Sequence, residues 1–202
     1  MKIRGYVPKL VMIVSGLFLF ACLLPGMIPL NPTPAGPKPT METDANKVIE
    51  ALTNNNYVRL EALAKEQYTE EDFAKPNTLT FTVKVTEDKP AYFSYGWCAT
   101  DETTLTNNFQ HITVSLYFND EKLGKDVVHP LSYKSSSNLT CGDFGVLMTD
   151  WPNGKYTLKA VATFKDKIND GMADYAAGDY IFVYNVTVDK KEGASETPSP
   201  SP

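Results

Sequence analysis

From Leu79 onward apolar and polar residues alternate one for one, and this period of two constrains the fold more than any other feature of the chain. "LTFTVKV" sets Leu79, Phe81, Val83 and Val85 against Thr80, Thr82 and Lys84. "HITVSLYF" does the same with Ile112, Val114, Leu116 and Phe118, "YTLKAVATF" with Tyr156, Leu158, Ala160, Ala162 and Phe164, and "YIFVYNVTV" with Tyr180, Phe182, Tyr184, Val186 and Val188. Successive strand residues point to opposite faces, so each run is a strand with one buried face. Asn119-Asp120, Pro152-Asn153-Gly154 and Asn169-Asp170-Gly171 separate the runs with turn chemistry. Adding 91–98, a strand near Val127-Val128 and 144–148 gives about seven strands, the size of an antiparallel β-sandwich spanning 78–189.

The stretch "AYFSYGWCAT" decides which way one of these strands faces. Phe93, Tyr95 and Trp97 share one face; Tyr92, Ser94, Gly96 and Cys98 share the other. The aromatic face buries far more apolar area, at roughly 25 cal/mol per Å2, so it takes the interior and Cys98 faces outward or sits at the strand end. Near Cys141 the apolar set is Phe144, Val146 and Met148, which again leaves the cysteine on the opposite set. A disulfide between Cys98 and Cys141 at the rim of the sandwich therefore staples the excursion from 99 to 140, contributing on the order of 4 kcal/mol.

The closing strands "GKYTLKAVATF...GDYIFVYNVTV", with the strand count and turn spacing over 78–189, resemble immunoglobulin-like modules of bacterial surface proteins. The resemblance implies an immunoglobulin-like β-sandwich. It differs from true immunoglobulin domains in placing Trp97 immediately before Cys98.

Ahead of the strands, residues 43–76 carry a helical period and predict a short helical hairpin. Asp44 is the expected N-cap, with Ala45, Val48, Ile49 and Leu52 on one face; Tyr57, Leu60, Leu63 and Ala64 form the stripe of a second helix. Thr69 and Asp72 have the spacing of a capping box, and Pro76 closes the segment. The acids Glu66, Glu70, Glu71 and Asp72 are explained by helix starts rather than by a metal or acid/base site.

The termini speak to compartment. Lys2, Arg4 and Lys9 precede an apolar run, the pattern of an export signal. Leu19-Phe20-Ala21-Cys22 resembles the lipobox of bacterial lipoproteins, which implies cleavage after residue 21 and a lipidated Cys22. The same letters fit an uncleaved anchor, since Leu10 to Leu30 is about the 20 residues that a bilayer core requires, and ordinary cleavage is the third reading. With Cys98 and Cys141 paired, lipidation gives the odd cysteine a role. Residues 22–42 are a Pro-rich tether and 190–202 a disordered tail, both unable to bury apolar surface. The formal net charge is −5, and removing the three basic residues of the signal takes it to about −8. An acidic body without a basic cluster argues against nucleic-acid partners.

The residues hold no hydrolase elbow, phosphate loop or paired metal-ligand spacing, so neither a catalytic group nor a cofactor or metal is expected. His111 shares the outward parity of Thr113 and Ser115, and His129 precedes Pro130; both are expected to be solvated. Asp166, Asn169 and Asp170 could supply calcium oxygens, but turn formation accounts for them. The expectation is a non-catalytic binding or adhesion module in the cell envelope, held to the membrane by its N-terminus and facing outside the cytoplasm, with a protein or glycan ligand. The alternative is a carbohydrate-binding module that uses Phe93, Tyr95 and Trp97 as a stacking platform.

Overall fold

The computed structural model describes residues 37–190. The lipobox-like stretch with Cys22, the tether up to residue 36 and the tail from residue 191 lie outside the described residues. The elements in chain order are β1 (Thr40–Met41), α1 (Ala45–Thr53), β2 (Val58–Arg59), α2 (Leu60–Ala64), β3 (Thr78–Thr86), β4 (Ala91–Ala99), α3 (Glu102–His111), β5 (Ile112–Phe118), β6 (Glu121–Lys122), β7 (His129–Lys134), β8 (Thr140–Thr149), β9 (Gly154–Phe164), β10 (Ile168–Asn169), β11 (Asp174–Tyr175) and β12 (Gly178–Asp189). Two 3-10 turns, Lys65–Gln67 and Glu70–Phe73, link α2 to β3.

The protein is mainly β, with two five-stranded sheets and a small β10–β11 hairpin. One sheet runs β1-β8-β4-β2, with β7 also on β8; the other runs β3-β12-β9-β5-β6. Residues from both sheets meet in a single core that includes Phe81, Phe93, Leu116, Val146, Leu158 and Tyr184. The alternation read from the sequence sets the inward faces: along β9, Tyr156, Leu158, Ala160, Ala162 and Phe164 are all buried, as are Phe81, Val83 and Val85 of β3.

Strand direction departs from expectation. The sheets are mixed rather than antiparallel: β3 lies parallel to β12 over nine residue pairs from Thr78↔Ile181 to Thr86↔Asp189, and β2 is parallel to β4. A tight turn forces antiparallel pairing only on strands adjacent in sequence, and β3 and β12 are the first and last long strands of the body. The strand expected near Val127-Val128 begins instead at His129 and continues to Lys134. Pro130 is tolerated there because β7 pairs only with β8.

The helical segment is shorter than its period suggests. Asp44 does cap α1, its carboxylate accepting from the Asn46 N–H at 2.9 Å. Thr69 and Asp72 do form a capping box. Tyr57, however, precedes a strand pair rather than opening a helix, and α2 has five residues. The two helices dock differently: α1 covers the outer face of the β8–β4 sheet, where Val48 packs with Tyr92 and Leu147, whereas α2 buries Leu60 and Ala64 in the main core. This cover explains why Tyr92, on the outward parity of β4, is nevertheless fully buried. A further helix, α3, stands between β4 and β5, where the sequence pattern predicts none; Asp101 caps it by accepting from the Thr104 N–H at 2.9 Å.

Candidate functional site

β4 carries the residues singled out in the sequence, and the structure separates them. Phe93 is 1 % exposed and meets Tyr184 edge-on, so it belongs to the core. Tyr95 is buried and Trp97 partly buried; both line a cleft of about 620 Å3 that opens between the two sheets. The three rings share one inward face, as the parity of the strand requires, and do not make an exposed flat platform.

The cleft is walled largely by rings. Trp97 stands edge-on to Phe164 at 5.2 Å and to Tyr175 at 4.7 Å. Phe182 contacts Tyr95 and stacks on Phe73, both at 5.8 Å between centroids. The Trp97 indole N–H is shielded from water and has no acceptor among the described residues. Burial raises the pKa of the cleft phenols: Tyr95 and Tyr184 are driven well up, and Tyr175 is pushed up to about 12 by burial and then by the charge of Asp170. At neutral pH these rings therefore present intact hydroxyl groups.

Charge enters at the mouth, where Arg59, Glu61 and Glu70 line the opening. Glu61 and Glu70 are both exposed. Surrounding protein crowds Glu61 and raises its carboxyl above the ordinary range, an effect that Arg59 partly offsets. Arg59 Nη1 donates to Asp143 Oδ2 at 3.3 Å, with the Asp143 side chain 1 % exposed and that of Arg59 29 % exposed. Burial raises Asp143, and Arg59, Ser94 and Tyr92 pull it back down. Burial alone would lower Arg59, but the Asp143 carboxylate together with Tyr57 and Tyr133 more than offsets it and keeps the guanidinium charged. Its carbon also lies 5.3 Å from the Tyr92 ring centre.

The outer wall of the cleft is the free edge of β4. Val58 donates to the Pro90 carbonyl at 2.8 Å, and Val58 and Arg59 stand opposite Ala91 and Tyr92. The chain then leaves into α2. At the far end the Thr100 N–H donates to the Asp170 carbonyl at 2.9 Å. Ser94, Gly96 and Cys98 lie between and line the cleft, with no strand beside them on this edge among the described residues.

Cys98 and Cys141 form a disulfide between directly opposed residues of neighbouring strands in one sheet. Cys141 is fully buried and Cys98 partly so. His111 Nδ1 lies 2.9 Å from Asp166 Oδ2. The expectation of two solvated histidines is corrected at His129. It is 7 % exposed, with Nε2 3.1 Å from the Glu42 carbonyl, because the entering chain at Glu42 covers β7. Asp170 is spent on its own turn: Oδ1 accepts from the N–H groups of Met172 and Ala173, both at 2.7 Å, and Oδ2 from the Tyr175 hydroxyl at 3.1 Å. Among the described residues no group of three His, Cys, Asp or Glu side chains could hold a metal ion. No helix among them is long and apolar enough to cross a membrane.

Comparison with known proteins adds little. No family model and no curated protein matches the chain. Solved structures that align with part of it include the complex of PbICP-C with falcipain-2, at 14 % identity and a TM-score of 0.34 over 57 % of this chain and 92 % of that one. The cysteine protease inhibitor EhICP2 from Entamoeba histolytica aligns at 8 % identity and a TM-score of 0.31, over 56 % of this chain and 88 % of the other. Amebosin aligns at 13 % and 0.26, over 55 % and 96 %. At that level of likeness no property of those proteins is carried to this chain.

Proposed function

We propose that this chain is an exported, lipid-anchored protein of the cell envelope whose body, an immunoglobulin-like sandwich, is a non-catalytic binding module with the ring-lined cleft as its ligand site. The observation that carries the reading is the cleft itself: about 620 Å3, walled by aromatic side chains, with a few charged groups at the mouth. Concave, mostly apolar sites with sparse polar groups are where ligands bind. The disulfide fits an oxidising compartment outside the cytoplasm.

The placement of the ends supports a tethered design. Thr40 pairs with Thr149, Val188 pairs with Gly154, and the Tyr156 hydroxyl donates to the Pro37 carbonyl at 3.3 Å, so both ends of the described chain leave from one pole. Gly178 pairs with Phe164, which puts the β10–β11 hairpin and its end of the cleft at the opposite pole. A tether at the first pole would turn the second outward. The experiment is twofold. Intact mass of the chain from the membrane fraction should show cleavage before Cys22, added acyl mass and the two missing hydrogens of a cystine. Ligands recovered from peptide-display and glycan-array screens should bind at least about tenfold more weakly to Trp97→Ala; retrieval of ligands indifferent to Trp97 would move the site elsewhere. A sugar ligand is the second reading, favoured by the partly exposed Trp97 beside Tyr175.

A further inference from the structure

We infer that the cleft takes an extended polypeptide segment of a partner protein, added as a strand to the open edge of β4, with a lysine or arginine side chain seated among the rings and facing Glu61 and Glu70. The inference rests on the binding-module reading and names its ligand class.

The edge has the form of a slot rather than of an ordinary sheet border. In a strand, backbone N–H and C=O groups of alternate residues face alternate edges. Tyr92 is opposite Arg59 of β2, and the Thr100 N–H is taken by the Asp170 carbonyl, so the even-numbered residues face this side. Ser94, Gly96 and Cys98 therefore present their backbone groups between two ends that are already occupied. At about 3.3 Å per residue the gap holds an added strand of about five residues.

Another sheet border is treated differently. β3 is also an edge strand, and there the Gln67 side chain closes it: its Nε2 donates to the Thr82 carbonyl and its Oε1 accepts from the Thr82 N–H, both at 2.8 Å. Plugging an exposed edge is how soluble proteins avoid unwanted pairing. The β4 edge has no such plug among the described residues, and the cleft lies against it.

Chemistry selects the occupant. Side chains of an added strand would alternate between the face of Tyr95 and Trp97, which leads into the cavity, and the face of Ser94 and Gly96. A long cationic side chain lays its apolar stem along the rings and gains from their faces. The charge at the mouth favours it, because Arg59 is engaged by Asp143 while Glu61 and Glu70 are exposed. The chain as a whole is acidic, with a formal net charge of −5.

The test uses the full chain in detergent and two bead-bound libraries of randomised heptapeptides, one with lysine fixed at the centre and one with glutamate. Binders should come from the lysine library at least about tenfold more often, and a recovered peptide should slow amide exchange of Ser94, Gly96 and Cys98 by about a hundredfold or more, while Phe93 and Tyr95, already paired with β8, stay unchanged. Gly96→Pro removes the central donor and should weaken binding at least about tenfold; Gly96→Ala, whose added carbon would sit 3.6 Å from Asp143 Oδ1, should bind as the natural chain does. The exchange measurement stands even if the proline variant does not fold. Equal recovery from both libraries, no recovery from either, or unprotected amides at saturation would overturn the inference. So would a dimer that Gly96→Pro dissolves, since a second copy would then fill the slot. A glycan ligand lost in Trp97→Ala, with no peptide binder, would overturn the added strand and leave the binding module standing.

Discussion

Replacing Arg59 by methionine isolates a charge pair whose carboxylate is buried. Arg59 Nη1 and Asp143 Oδ2 are 3.3 Å apart, and at an effective dielectric of about 20 the gross attraction at that distance is about 5 kcal/mol. Methionine keeps the aliphatic stem over Tyr92 and removes the charge. It leaves a carboxylate that is 1 % exposed and whose Oδ1 already has no hydrogen-bond partner among the described residues. Removing one partner of a buried pair costs about 3 to 5 kcal/mol, and the partial exposure of Arg59 places this case toward the lower figure. The pH dependence follows from the direction of the shift. Burial raises Asp143 and Arg59 lowers it, so Arg59→Met raises it further. A carboxyl whose folded pKa lies above its unfolded value adds stability below the unfolded value, near pH 4, and loses it as pH rises through the folded value. The defect of Arg59→Met should therefore be full at neutral pH and shrink as the solution is acidified. Urea unfolding of the natural chain, Arg59→Met, Asp143→Asn and the double variant gives the coupling directly, and Arg59→Met should cost under about 1 kcal/mol once Asp143 is neutral. A defect of equal size at neutral and acid pH, or a coupling below about 0.5 kcal/mol, would refute the reasoning.

Three further outcomes are expected. Replacing Cys98 and Cys141 together by alanine opens a loop with a sequence separation of 43 and should lower unfolding stability by about 4 kcal/mol, read by urea denaturation without reductant. Gly145→Ala should destabilise by about 1 to 3 kcal/mol, because its added carbon would lie 2.2 Å from the Tyr92 hydroxyl and that ring is fully buried under α1; thermal unfolding checks it. Acrylamide should quench tryptophan fluorescence in two classes: Trp151, 2 % exposed with its N–H donating to the Met148 carbonyl, stays protected, and the accessible fraction disappears in Trp97→Phe.

The faces of the strands were legible in the sequence because alternation is local. Phe81, Val83 and Val85, or Tyr180, Tyr184, Val186 and Val188, needed no knowledge of their neighbours to be assigned inward. The pairing of Cys98 with Cys141 was legible from the cysteine count, since they are the two that remain once Cys22 is assigned to the signal. Direction was not: nothing in "LTFTVKV" records that it will lie parallel to a strand some hundred residues later. α3 left a trace in Asp101 with Leu105, Asn108 and Phe109 at helical spacing, but its threonines and asparagines are poor helix formers, and packing of Phe109 against Phe144 supplies what propensity does not. The cleft was legible only in part. Tyr95 and Trp97 could be picked out, whereas Tyr68, Phe73, Tyr175 and Glu61 come from separate segments that only the folded chain brings together.

The shortness of β2 is what turns a packing arrangement into a candidate site. Had the pairing of Val58 and Arg59 continued past Tyr92, it would have closed the edge of β4 and covered the rings behind it. Leu60 and Ala64 are instead fully buried in the core, so the chain must turn into α2 to place them, and the strand ends after two residues. The same turn carries Glu61 to the mouth of the cleft and sets Arg59 over Asp143. Packing therefore demands the gap, the aromatic wall and the acidic rim together. Loss of the Leu60 anchor should accordingly disturb the core and the slot at once.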